Sequence, residues 1–121
     1  MFKVGIDLVE ITRIKKSVEN QRFIERVFSK KEIALFSAKD SAFQSMAGNW
    51  AAKEAFSKSL GTGVSGFSLN EVSVLRDEKG APFIELTGKA LRLAEGYEFS
   101  VSITHTDDLA QAVVIAYRKG E

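Results

Sequence analysis

From Ser41 to Leu60 the chain reads as about five helical turns that leave almost no polar face in their middle. Phe43, Met46, Ala47, Trp50, Ala51 and Phe56 fall around more than one side of this helix. A helix that is apolar or small around much of its circumference cannot lie on a surface, so the rest of the chain must be built around it. Trp50, Phe43 and Phe56 are expected in its core contacts. Gly61-Thr62-Gly63 ends the helix, because glycine accepts the left-handed backbone that follows a helix C-terminus.

The flanking segments supply the wrapping. Phe2–Ile11 reads as a strand, with Phe2, Val4, Ile6 and Leu8 on one face, taken as the core stripe. Asp7 falls on the other face with Gly5, Val9 and Ile11. Residues 12–27 are helical in pattern, with Gln21–Val27 set apart as a short helix. Ser29-Lys-Lys-Glu32 is a capping box that predicts a helix to about Ser37. After the central helix the period changes. Glu71–Arg76 and Pro82–Leu86 flank the turn Asp77–Gly80 as a hairpin, with Val72 and Val74 inward. Gly88–Ala94 is a short helix. Tyr97–Thr106 and Leu109–Tyr117 are strands joined at Asp107-Asp108, with Phe99, Val101, Ile103 and His105 on one face. The class is α+β, a mainly antiparallel sheet packed against a long central helix, in one domain spanning residues 1–121.

Composition removes whole chemistries. The absence of cysteine excludes disulfides, thiolate metal sites and thiol catalysis. A single histidine excludes a multi-histidine metal site within one chain, so a metal here is a hard cation held by carboxylates, with Mg²⁺ leading. No signal peptide or membrane span is legible, and the expected location is the cytoplasm. Residues 1–31 carry eight Lys or Arg against four acids, a local +4 in a chain of net charge +1. That asymmetry suits an acidic partner; the modest total charge and lack of a recognition motif argue against nucleic acid. A catalytic chain of 121 residues is also short for a deep pocket, so an oligomer with sites between subunits is expected.

Candidate chemistry falls in three places. Asp7, in an apolar strand, is either paired or metal-bound, or an edge-strand acid facing water. Glu54 and Lys58 stand one helical turn apart just before the glycine turn, either as a common i,i+4 surface pair or where a lysine and loop N–H groups could meet a phosphate. The helix dipole opposes an anion there. His105 is either a packing residue at a strand end or, with Ser102, Thr104 and Thr106 around it, part of a polar strand end suited to phosphate or ribose. Arg13, Lys16, Arg22 and Arg26 are solvated helix charges or a dock for an acidic protein.

Gly5-Ile-Asp-Leu-Val-Glu-Ile-Thr-Arg-Ile14, Phe23–Phe28, Trp50-Ala-Ala-Lys-Glu-Ala-Phe-Ser-Lys58 with Gly61-Thr-Gly63, and Val101-Ser-Ile-Thr-His-Thr106 together resemble the holo-acyl-carrier-protein synthases, small bacterial 4′-phosphopantetheinyl transferases. The resemblance implies that fold, and Mg²⁺-dependent transfer of phosphopantetheine from coenzyme A to a serine of apo acyl carrier protein, releasing adenosine 3′,5′-bisphosphate. It implies Asp7 and Glu54 as metal ligands and Lys58 beside the pyrophosphate. Gly61, Thr62 and Gly63 would contact coenzyme A, and His105 and Thr106 its phosphates. Arg13, Arg22 and Arg26 would meet the carrier protein, in a homotrimer. The serine's base is left open between a carboxylate near the metal and a metal-bound water. Competing readings are a non-catalytic coenzyme A-binding subunit and an acidic-protein interaction module.

Overall fold

The computed structural model describes residues 1–61 and 65–120. Strand β1 (Phe2–Glu10) leads into helices α1 (Ile11–Ser17), α2 (Gln21–Val27), α3 (Lys30–Ser37) and α4 (Ala42–Leu60). A 3-10 turn at Leu69–Glu71 precedes β2 (Val72–Arg76) and β3 (Pro82–Leu86). Then come α5 (Gly88–Leu93), β4 (Tyr97–His105) and β5 (Leu109–Arg118). The strands form two antiparallel sheets, β1-β5-β4 and β2-β3.

Local chemistry accounts for the element ends. Ser29 Oγ accepts from Glu32 N while Glu32 Oε1 accepts from Ser29 N, the reciprocal cap predicted for α3. Asn20 caps α2 and separates it from α1. Gly61 ends α4 with φ of 75°.

Helix α4 is the centre of the molecule, and Ala47, Ala51, Ala52, Ala55 and Phe56 are fully buried along it. It crosses the larger sheet at very short range because Gly5 and Gly48 have no side chains. A Cβ on Gly5 would lie 1.8 Å from the Ala55 carbonyl oxygen, and one on Gly48 would lie 2.9 Å from Ile103 Cγ2. The C-terminal half of α4 therefore rides on β1 and its N-terminal half on β4.

This crossing reverses the expected orientation of β1. The Gly5, Asp7 and Val9 face lies under the helix. Phe2, Val4, Ile6 and Leu8 point outward, 71%, 64%, 53% and 57% exposed. Apolar alternation marks a strand, but it cannot tell which face a helix will cover when the other face carries the glycine that permits close approach. Register places Leu109, Val113 and Ile115 beside this outward stripe, so half of the sheet's outer face is apolar. Phe43 is a second correction. It is 40% exposed, with Lys15 Nζ 5.5 Å from its ring centroid, because it lies in the first turn of α4 beyond the sheet. Phe56 is fully buried and Trp50 is partly buried against the core.

Candidate active site

Asp7 lies on the edge strand β1, yet its side chain is only 18% exposed because α4 covers that face. Lys58, from the last turn of α4, reaches back over the strand. Its ammonium donates to the Ile6 carbonyl at 2.9 Å and to Asp7 Oδ1 at 3.2 Å. Glu54, one turn earlier on α4, belongs to the same group. Burial pushes its carboxyl above the ordinary glutamate range, the Asp7 charge pushes it further, and Lys58 and Arg13 pull it back. Asp7, Glu54, Lys58 and Arg13 thus converge at one edge of the sheet.

Two carboxylates that repel each other in a half-covered position, with an ammonium on one of them, could hold a hard cation through their oxygens. Among the described residues no group of three or more His, Asp or Glu side chains could hold a metal. A divalent ion here would take two protein carboxylates and complete its shell with water and a substrate's oxygens, the usual condition of Mg²⁺. The donor set fits that ion.

His105 and Thr106 lie elsewhere. Ala110 pairs with both Val9 and His105, so His105 is two strands across and two residues along from Asp7, about 12 Å between α-carbons. His105 lines a cleft of about 500 Å³ with Lys39, Asp40, Gln44, Ser45 and Arg76. Ser45 and Glu54 are nine positions apart on α4. At about 100° per residue that is half a turn, with about 14 Å of axial separation. The His105 cleft, by the β4 edge and the N-terminal half of α4, and the Asp7–Glu54–Lys58 group, by the β1 edge and its C-terminal half, therefore lie at opposite edges of the sheet. Thr106 Oγ1 accepts from the backbone N–H groups of Asp108 and Leu109, which shapes the β4–β5 turn. Gly61 stands at the end of α4 near Lys58; Thr62 and Gly63 lie outside the described residues. Arg22 and Arg26, with Lys16, ring a shallow depression around Phe23 on α1 and α2. A cavity of about 690 Å³ between β3, α5 and β4 shares no lining residue with the His105 cleft and includes none of Asp7, Glu54 and Lys58.

Sequence reasoning passed over a buried polar network beside α4. Glu32 and Lys53 are fully buried and paired at 2.6 Å. The Lys53 ammonium also donates to the carbonyls of Leu69 and Val72. Asn49 Nδ2 donates to Glu32 Oε2 and to the Val74 carbonyl, both at 2.9 Å. Arg76 Nη2 approaches Asn49 Oδ1 at 3.4 Å. The signal was Asn49 and Lys53 at i,i+4 spacing on a helix read as buried.

Residues 3–116 match the model of the 4′-phosphopantetheinyl transferase superfamily. A holo-acyl-carrier-protein synthase of Thermoanaerobacter sp. is 44% identical over 117 residues, covering 93% of this chain and 85% of the relative. One from Clostridium acetobutylicum is 41% identical over 115 residues, covering 93% of each chain. Among solved structures, the Helicobacter pylori synthase in complex with coenzyme A superposes with a TM-score of 0.83 at 36% identity. That match covers 94% of this chain and 99% of the other.

Proposed function

We infer the function from one premise, that the chain is an enzyme of the holo-acyl-carrier-protein synthase family, within the 4′-phosphopantetheinyl transferase superfamily. From that premise we propose that it moves the phosphopantetheine arm of coenzyme A to a serine of apo acyl carrier protein in a Mg²⁺-dependent reaction. The observation that carries the reading is the convergence of Asp7, Glu54 and Lys58 at one edge of the sheet. The attacking serine hydroxyl gives its proton to a carboxylate of the site or to a water there, and its oxygen forms a bond to the phosphorus that bears pantetheine. The bond from that phosphorus to the bridging oxygen breaks, and adenosine 3′,5′-bisphosphate leaves with the electron pair. Asp7 and Glu54 would hold the ion, and the ion supplies charge neutralisation at the diphosphate when bound. Lys58, released from Asp7, stabilises the departing phosphate. Arg13, Arg22 and Arg26 offer an acidic carrier protein a basic surface.

The same reading makes the active site composite. The two halves sit at opposite edges of the sheet, and the outward stripe of Phe2, Val4, Ile6, Leu8 and Ile115 leaves a contiguous run of apolar side chains exposed on its outer face. Closing that surface in a homotrimer would bring the His105 cleft of one copy to the Asp7–Glu54–Lys58 group of the next. The test is intact mass of apo acyl carrier protein incubated with this enzyme, coenzyme A and Mg²⁺, with an EDTA control. A gain of one phosphopantetheine arm that requires the metal is expected. A gain that survives EDTA refutes the metal roles of Asp7 and Glu54, and no gain with any of several carrier proteins refutes the transferase reading.

A further inference from the structure

Arg76 closes β2 at the rim of the His105 cleft. Its guanidinium is half-buried yet weakly engaged. Nη1 reaches the carbonyl of Leu75 at 3.3 Å and Nη2 reaches Asn49 Oδ1 at 3.4 Å, both long contacts, from a group with five N–H donors. The buried carboxylate closest to it in electrostatic effect is Glu32. Glu32 is already saturated, since its two oxygens accept from Ser29 N, Lys53 Nζ, Asn49 Nδ2 and Val74 N. A guanidinium that has lost water and gained no full partner is poised for an external anion.

The surroundings favour one kind of anion. Lys39, Arg76 and His105 line the cleft against a single acid, Asp40. The planar fork suits a phosphate bidentately. Asn49 holds Arg76 from behind and is itself fixed by Glu32 and the Val74 carbonyl, while Lys53 fixes Glu32. Resting on the transferase reading, we propose that Arg76 binds the ribose phosphomonoester of coenzyme A, positioned through Asn49 by the buried Glu32–Lys53 pair. The diphosphate is taken up at Asp7, Glu54 and Lys58, which leaves the phosphomonoester for the other half of the site. Arg76 is thereby a residue that distinguishes coenzyme A from dephospho-coenzyme A.

The experiment is calorimetric binding of coenzyme A and dephospho-coenzyme A, with Mg²⁺, to the intact protein and to Arg76→Gln and Arg76→Lys. Mass-detected transfer to carrier protein is followed with both donors. Arg76→Gln is expected to weaken coenzyme A binding about 10- to 100-fold, the scale of a lost charge-assisted hydrogen bond. The loss with dephospho-coenzyme A is expected to be several-fold smaller, and Arg76→Lys should fall between. Equal losses for both donors, or no loss for either, overturn the role of Arg76 while transfer by the parent protein leaves the transferase reading intact. If the parent protein binds and transfers neither donor, both fall together.

Discussion

Lys58 Nζ stands 3.2 Å from Asp7 Oδ1 and 2.9 Å from the Ile6 carbonyl, so an ammonium neutralises the carboxylate assigned to the metal. The same lysine is assigned to the leaving phosphate, and one ion would exchange those two tasks.

Removing the Asp7 charge should therefore cost metal affinity before it costs structure. Asp7→Asn is expected to lower turnover by at least about 100-fold at limiting Mg²⁺, with a thermal midpoint close to the parent's. Rates across a Mg²⁺ titration, with a melt of each sample, decide it. Unchanged metal dependence would remove Asp7 from the ligand set.

Glu54 gives a pH signature in metal-free protein. Burial, then Asp7, raises its carboxyl in the folded state. Such a group favours folding below its unfolded pKa, and that contribution is lost as pH rises through the folded value. Metal-free Glu54→Gln should melt above the parent near neutral pH, with the gap closing toward about pH 4. Melts in EDTA across that range are the check; a variant that melts lower at neutral pH contradicts the assigned environment.

Gly5 couples the fold to the site. An added Cβ would lie 1.8 Å from the Ala55 oxygen and 2.7 Å from Ser59 N, both backbone atoms of α4. Gly5→Ala must lift the helix off β1 and carry Glu54 and Lys58 away from Asp7. A loss of about 1–3 kcal/mol is expected in urea unfolding, together with weaker Mg²⁺ binding by calorimetry. Normal metal binding in a destabilised variant would separate the two effects and refute the coupling.

The buried pair beside α4 predicts an asymmetry. Burial lowers the pKa of Lys53, while Glu32 opposes that shift. Lys53→Met strands the Glu32 charge and should cost about 3–5 kcal/mol. Glu32→Gln in the same chain removes that charge and keeps a capping residue at α3, so the double variant should regain a large part of the loss. Urea midpoints of both variants test this, and a double variant no more stable than Lys53→Met would argue against it.

How far the sequence discloses this molecule depends on the residue type. The Ser29–Glu32 cap, the Gly61 terminus and the β2-β3 hairpin follow from short-range chemistry and were legible. The burial of α4 was legible because its small residues leave few alternatives. The faces of β1 were not, since period two gives alternation without direction, and the glycine contact with Ala55 is set across fifty residues of chain. Within the candidate site, Glu54 and Lys58 were visible as a helical pair. The spatial convergence of Asp7 on them, and the isolation of His105 at the other edge of the sheet, depend on how α4 crosses the sheet. Arg76 was missed because its partners, Asn49 and the cleft, come from other elements.

The separation of the Asp7–Glu54–Lys58 group from the His105 cleft has a consequence for mixed assemblies. If each site takes one half from each of two copies, an inactive Glu54 variant and an inactive His105 variant carry complementary defects. A 2:1 ring of either composition rebuilds one intact interface out of its three. Random reassembly of equal amounts should then restore about one site in four from two dead parents, a form of intragenic complementation that a self-contained subunit could never display.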